Sequence, residues 1–225
     1  MSQGGGARPF VKVLDELWAD LLSMAALVEN ALSTSVRAFR DHRLDLAAEV
    51  RQLENQIDQL ELKVEESCLR ILALYDPVAA DLRKVTAVFK VNPELERMAD
   101  LARHIAKRVK KLTVTPIAEP IREELEHLGN QALEQVRGAI DALANLDAEK
   151  ANKIRATDHF IDRRRHELVA DIKDEIRKTP EEIDGWLRLI NTVRNFERIS
   201  DHACNIAEWV IYLAEGQIVR HAKVS

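Results

Sequence analysis

Four times the chain sets two acids one helical turn apart: Glu54 and Asp58, Glu96 and Asp100, Asp158 and Asp162, Glu197 and Asp201. Residues i and i+4 share a helix face, with Cβ atoms about 5–6 Å apart. Two like charges there repel, and a cation between them removes the repulsion. Ligation by carboxylates alone suits hard cations such as magnesium, manganese, calcium or iron. A single pair is better explained by a solvated acidic face, so the question is whether the pairs meet.

The elements that carry them are long helices. The chain has 225 residues, 46% hydrophobic and 32% charged, enough apolar material for a core. Seven glycines, three of them at Gly4, Gly5 and Gly6, are too few for a turn-rich sheet protein or for a glycine-rich phosphate loop. Breaks at Asp76-Pro77 and Thr179-Pro180, weaker ones near Asp41 to Leu44 and Asn145 to Asp147, and a proline-containing stretch at 113–118 divide the rest. They predict six helices over 10–41, 44–74, 79–112, 119–145, 147–178 and 180–215. Each would be about 45 Å long at 30 residues, and short loops make neighbours antiparallel.

Heptad seams support this. Leu95, Met98, Ala102, Ile105, Val109 and Leu112 alternate spacings of three and four, as do Phe196, Ile199, Ala203, Ile206, Val210 and Leu213. Glu96-Arg97-Met98-Ala99-Asp100 returns 101 positions later as Glu197-Arg198-Ile199-Ser200-Asp201. The pair Glu54/Asp58 returns 104 positions later as Asp158/Asp162. The expected fold is therefore all-α: two tandem three-helix bundles, 10–112 and 119–216, joined by a linker over 113–118. Residues 1–9 are expected to form a disordered tail and 217–225 a C-terminal tail. Pro93 falls inside the third helix, which is expected to continue past it with a kink.

In an antiparallel hairpin, residues equidistant from the turn lie at one height. The midpoint of 58 and 96, and of 54 and 100, is 77, the position of Pro77. The midpoint of 162 and 197, and of 158 and 201, is 179.5, the Thr179-Pro180 junction. Four carboxylates are thus expected to converge in each half, in a surface groove. Such a group is costly unless protonated or bridged by cations. The competing reading is a solvated acidic face laced by Arg97, Arg103, Arg163, Arg164 and Arg198. His104 and His202 follow motif acids closely and could add nitrogen ligands. Asn205 and Glu208, one and two turns past Asp201, could add oxygen ligands.

Other chemistry is thinner. A carboxylate-bridged di-metal oxidase of the ferritin type needs two Glu-x-x-His motifs, and the chain has one, Glu124 to His127. Cys68 and Cys204 sit in apolar-periodic stretches and read as buried structural thiols. No nucleophile and base stand together, so the expectation is a protein without catalysis. The net charge of −5 provides no general attraction to nucleic acid or to anionic membrane. No apolar run nears the ~18–20 residues of a membrane span. A cytoplasmic protein without membrane insertion is expected.

The chain resembles the PhoU family of phosphate-transport regulators over nearly its full length. The matching residues are Leu95-Glu96-Arg97-Met98-Ala99-Asp100, Phe196-Glu197-Arg198-Ile199-Ser200-Asp201-His202, Asp76-Pro77-Val78-Ala79-Ala80-Asp81-Leu82-Arg83 and Asn205-Ile206-Ala207-Glu208. Met24-Ala25-Ala26-Leu27-Val28-Glu29 is similar to a further family segment. The resemblance implies multinuclear metal clusters, of iron, manganese, zinc or magnesium. One would lie on Glu54, Asp58, Glu96 and Asp100, the other on Asp158, Asp162, Glu197 and Asp201. It also implies a homodimeric regulator that restrains a phosphate ABC transporter through its ATPase and holds a phosphate-sensing histidine kinase off. Ala99 and Ser200 depart from a usual glycine, Ala25 and Ala26 replace two more, and Pro93 interrupts a usually continuous helix. A metal-free helical scaffold with acidic protein-binding faces is the alternative.

Overall fold

The computed structural model describes residues 7–112, 117 and 119–219. They form six helices: α1 (Ala7–Arg40), α2 (Leu44–Tyr75), α3 (Ala79–Leu112), α4 (Glu119–Asn145), α5 (Ala148–Lys178) and α6 (Ile183–Glu215). A short 3₁₀ turn, Pro180–Glu182, precedes α6. The all-α architecture expected from the heptads is the one found.

Helix ends follow local chemistry. Asp147 caps α5, its carboxylate accepting from the Lys150 amide at 2.9 Å. Gly216 ends α6 in the left-handed region, at φ 73°, and its amide donates to Tyr212 O at 2.9 Å. Two boundaries differ from expectation. α1 begins at Ala7 rather than at residue 10, because Pro9 falls in the first turn, where its missing N–H costs nothing. The proline at 180 opens the 3₁₀ turn, so α6 starts three residues later than expected. Of the expected tails and linker, residues 1–6, 113–116, 118 and 220–225 lie outside the described residues. Val219 is not loose: it packs on the core, and its carbonyl accepts from Arg155 Nη2 at 3.1 Å.

α3 runs unbroken through Pro93. Beside it, Asn92 is buried and its Nδ2 donates to Glu61 O of α2 at 2.9 Å. That bond ties α3 to α2 at the turn the proline weakens.

α1, α2 and α3 pack on one another, as do α4, α5 and α6, and α3 lies along α6 while α1 lies along α4. Glu94 of α3 meets His202 and Asn205 of α6, and Arg108 further along α3 meets Asn191 earlier in α6, so this central pair is antiparallel. Glu29 to Arg137 at 2.8 Å and His42 to Arg122 at 2.9 Å show the same for α1 and α4. The halves are thus related by an approximate two-fold, and one continuous core runs through both. His42 and Leu146, 104 positions apart at the two corners, share a left-handed φ of 52°.

Candidate metal centre

The hairpin heights inferred from midpoints are those of the structure. Asn92 meets Glu61 and Cys68 Sγ meets Val85 O across α2 and α3. Ser200 meets Asp158 and Cys204 Sγ meets Ile154 O across α5 and α6. These rungs set Glu54 and Asp58 level with Asp100 and Glu96, and Asp158 and Asp162 level with Asp201 and Glu197.

In the first half, Arg103 stands between two of the acids. Its Nε lies 2.6 Å from Glu54 Oε1 and its Nη2 2.7 Å from Asp100 Oδ1. Asp58, Glu61 and Glu96 make no ion pair among the described residues. Burial raises the Glu96 carboxyl above its usual range, and Asp100, Glu61 and Asp58 add to it. Glu54 is also raised, by burial against the opposing pull of Arg103, with Asp58 and Asp100 adding. Glu61 belongs to this group and was missed in the sequence. Its signal was present: it lies one turn past Asp58 and nearly level with Glu96.

In the second half, Arg165 Nη2 lies 3.2 Å from Glu197 Oε1. Asp158 Oδ1 is 2.8 Å from the buried Ser200 hydroxyl, which also contacts Gln135 Oε1. Asp201 is the most perturbed carboxyl. It is pushed up to about 6, first by removal from water and then by Asp158, Glu197 and Asp162. The other three expected acids therefore all act on Asp201.

Asn205 and Glu208 are engaged elsewhere. Asn205 Nδ2 donates to Glu94 Oε2 of α3 at 2.9 Å, and His202 Nδ1 bonds the same oxygen at 2.7 Å. Burial pushes the Glu94 carboxyl up, but these two donors outweigh it and hold it below its ordinary value. Glu208 pairs with Arg155 at 3.5 Å. Of the oxidase motif, Glu124 accepts from Arg164 Nη1 at 2.7 Å. Burial pushes the Cys68 thiol up to about 12, and Cys204 is raised for the same reason, so neither is a ready thiolate.

As the side chains stand, no three acids, histidines or cysteines among the described residues are gathered closely enough to hold one ion. The donor set still fits a hard cation. Each half holds a row of carboxylates in which Glu96, in the first, and Asp201, in the second, are raised by burial and then by neighbouring acids, which is the charge imbalance a cation relieves. Each row also has one arginine tying off an end. What remains is Asp58, Glu61 and Glu96 in the first half and Asp158, Asp162 and Asp201 in the second.

A duplicated all-α bundle with two mirrored acid rows is the class of protein that fold and site define. The PhoU domain model matches residues 21–109 and again 125–210. The chain is 36% identical over 215 residues to the phosphate-specific transport system accessory protein PhoU homolog of Pseudomonas aeruginosa, covering 96% of this chain and 89% of that one. It superposes on the crystal structure of PhoU from Pseudomonas aeruginosa with a TM-score of 0.89 at 36% identity, over 92% of this chain and 100% of that one. The corresponding values for PhoU from Streptococcus pneumoniae are 0.85, 29%, 93% and 99%. The chain belongs to the PhoU family.

Proposed function

We propose that this chain is a non-catalytic regulator of phosphate uptake and phosphate-starvation signalling. The observation that carries this is the full-length match, in both halves, to relatives named as accessory proteins of phosphate-specific transport. In this reading it works in the cytoplasm as a homodimer and touches two partners, a phosphate ABC transporter ATPase and a phosphate-sensing histidine kinase. No described helix is long and apolar enough to cross a membrane, which agrees with contact from outside the bilayer. Deleting its gene is expected to derepress phosphate uptake and starvation genes. Unchanged uptake and expression would remove this reading.

Metal at the acid rows is the second part of the proposal. Asp58, Glu61 and Glu96, with Glu54 and Asp100 beyond Arg103, would hold a cation in the first half. Asp158, Asp162 and Asp201, with Glu197 beyond Arg165, would hold one in the second. Iron, manganese, zinc or magnesium bound there would supply positive charge that clamps α2 to α3 and α5 to α6. Elemental mass spectrometry of wild type and Asp162→Asn/Asp201→Asn decides it: stoichiometric metal in the first and a loss in the second is expected. The salt bridges of Arg103 and Arg165 favour the alternative of a metal-free scaffold with acidic protein-binding faces. That alternative predicts no metal in either protein, even after reconstitution.

A further inference from the structure

The α1–α2 and α4–α5 hairpins are two versions of one element, 104 positions apart. Their core residues correspond one to one: Met24 with Leu128, Val28 with Ala132, Val50 with Ile154, Ile57 with Ile161, all buried. The outer seam between the two helices differs. In the first half it is closed by Leu27, Leu46, Leu53 and Leu60, two of them buried and two packed half-buried against the core. The counterparts in the second half are Gln131, Lys150, Thr157 and Arg164. All four line an open cavity of about 770 Å³ between α4 and α5.

Four leucines exchanged for polar side chains at one seam leave chemistry in their place. On the floor, Gln135 is 8% exposed, and its Nε2 donates to Thr157 Oγ1 at 3.4 Å. Gln131 Oε1 is buried without a hydrogen-bond partner, an acceptor that lacks a donor. On the rim, Phe160 is 53% exposed, an aromatic face turned to water. Four cations line the groove, Lys150, Lys153, Arg163 and Arg164, against two acids, Glu134 and Glu167. Arg163 makes no ion pair among the described residues; Lys153, Lys150 and Arg164 are held by bridges to Glu149, Asp141 and Glu124, which are partly or fully exposed and so readily exchanged for a stronger anion.

These groups are ordered along the groove. Gln135 faces Thr157 and Gly138 faces Ile154, so one turn earlier Gln131 stands level with Phe160. Lys153 lies seven residues from Phe160, about 10 Å along α5. An aromatic face beside an unsatisfied amide oxygen, then polar floor, then cations about 10 Å on, matches a ring with N–H donors joined through a sugar to phosphate. We propose that the α4–α5 groove binds a nucleoside phosphate. The base stacks on Phe160, an exocyclic N–H donates to Gln131 Oε1, and the phosphates reach Lys153 and Lys150. The first half cannot bind one, because its leucines occupy the space.

The test is calorimetric titration of ATP and of GTP into the full chain, in chelating buffer so that the acid rows add nothing. Inorganic phosphate is the control. Saturable binding of ATP or GTP in roughly the micromolar range is expected, with phosphate alone at least about 100-fold weaker. Phe160→Ala should weaken it at least about tenfold, the loss of one base stack. The quadruple change Gln131→Leu, Lys150→Leu, Thr157→Leu and Arg164→Leu copies the first half. It should abolish binding while raising the melting temperature, so the loss is not unfolding. If that protein does not fold, Lys153→Glu replaces it and should also weaken binding at least tenfold, roughly one phosphate contact. No saturable binding of either nucleotide below about 1 mM overturns the proposal. So does inorganic phosphate binding as tightly as nucleotide, or an unchanged affinity in Phe160→Ala.

Discussion

Both acid rows are built from the same motif, yet their arginines tie off different acids. Position 103 of α3 corresponds to position 204 of α6, and Arg103 there has Cys204 as its counterpart. Position 61 of α2 corresponds to position 165 of α5, and Glu61 has Arg165 as its counterpart. The first row is thus bridged at Glu54 and Asp100, and the second at Glu197. Both keep three carboxylates clear of the arginine, but the sets differ. A duplicated fold can hold one architecture and still move its charge balance along the helices, because a substitution at a half-buried position beside the core changes charge while the fully buried seam stays apolar.

The cores differ in a compensating way. Ala25 and Leu95 of the first half become Gly129 and Phe196 of the second, the same positions after the duplication offsets. A Cβ on Gly129 would lie 3.0 Å from Phe196 Cζ. The larger ring is accommodated because the facing residue lost its methyl group.

The largest expected effect lies there. Phe196→Ala should cost about 3–5 kcal/mol in urea denaturation, against about 2–5 kcal/mol for Leu95→Ala. Gly129→Ala alone should cost about 1–3 kcal/mol by overpacking the ring. Adding Phe196→Leu to it recreates the first-half pair and should recover most of that loss. If the double variant is no better than the sum of the singles, the two halves are not packed as equivalents.

Arg103→Ala comes next. It leaves Glu54 and Asp100 facing each other without their cation, and should lower stability by about 1–2 kcal/mol in chelating buffer. Added manganese or magnesium should restore it, read as a rise in melting temperature. Restoration by monovalent salt alone, at equal ionic strength, would show that only general repulsion is at work.

Asp201→Asn has a smaller effect of opposite sign. Its carboxyl stands at about 6 in the fold against an ordinary 3.8, so the fold binds this proton more tightly than the unfolded chain does. That contribution is fully present below about pH 4 and is lost as pH rises through about 6. Without metal, Asp201→Asn should therefore stabilise the protein at pH 7 by about 1 kcal/mol after solvent screening, and leave it unchanged at pH 4. Equal effects at both pH values would disconnect Asp201 from its three acidic neighbours. Smallest is Leu146→Gly, which relieves a left-handed leucine at the second corner and should add about 0.5–1 kcal/mol by thermal melting.

The acid pairs, their duplication and their shared heights were legible because helix periodicity and hairpin symmetry are arithmetic. Glu61 was passed over because it belongs to no repeated motif, and the pairings of Arg103 and Arg165 were not legible because they are set across a helix pair. His202 and Asn205 illustrate the same limit. Both follow Asp201 in sequence as possible added ligands, and a helix residue's angular position decides which neighbouring helix it meets. Theirs faces α3, where Glu94 takes both. The Pro9 and Pro180 boundaries were missed by a few residues because a proline's cost depends on which turn it occupies.

Composition and heptad spacing alone determined six long antiparallel helices in two related halves, because apolar periodicity dictates which faces must be buried. They also determined where eight carboxylates lie along those helices. Only the tertiary structure decided which arginine neutralises which acid, how α3 crosses to α6, and that one outer seam is sealed with leucine while its twin stays open. Those outcomes depend on distances of a few ångströms between residues tens of positions apart, and a linear pattern does not carry such distances.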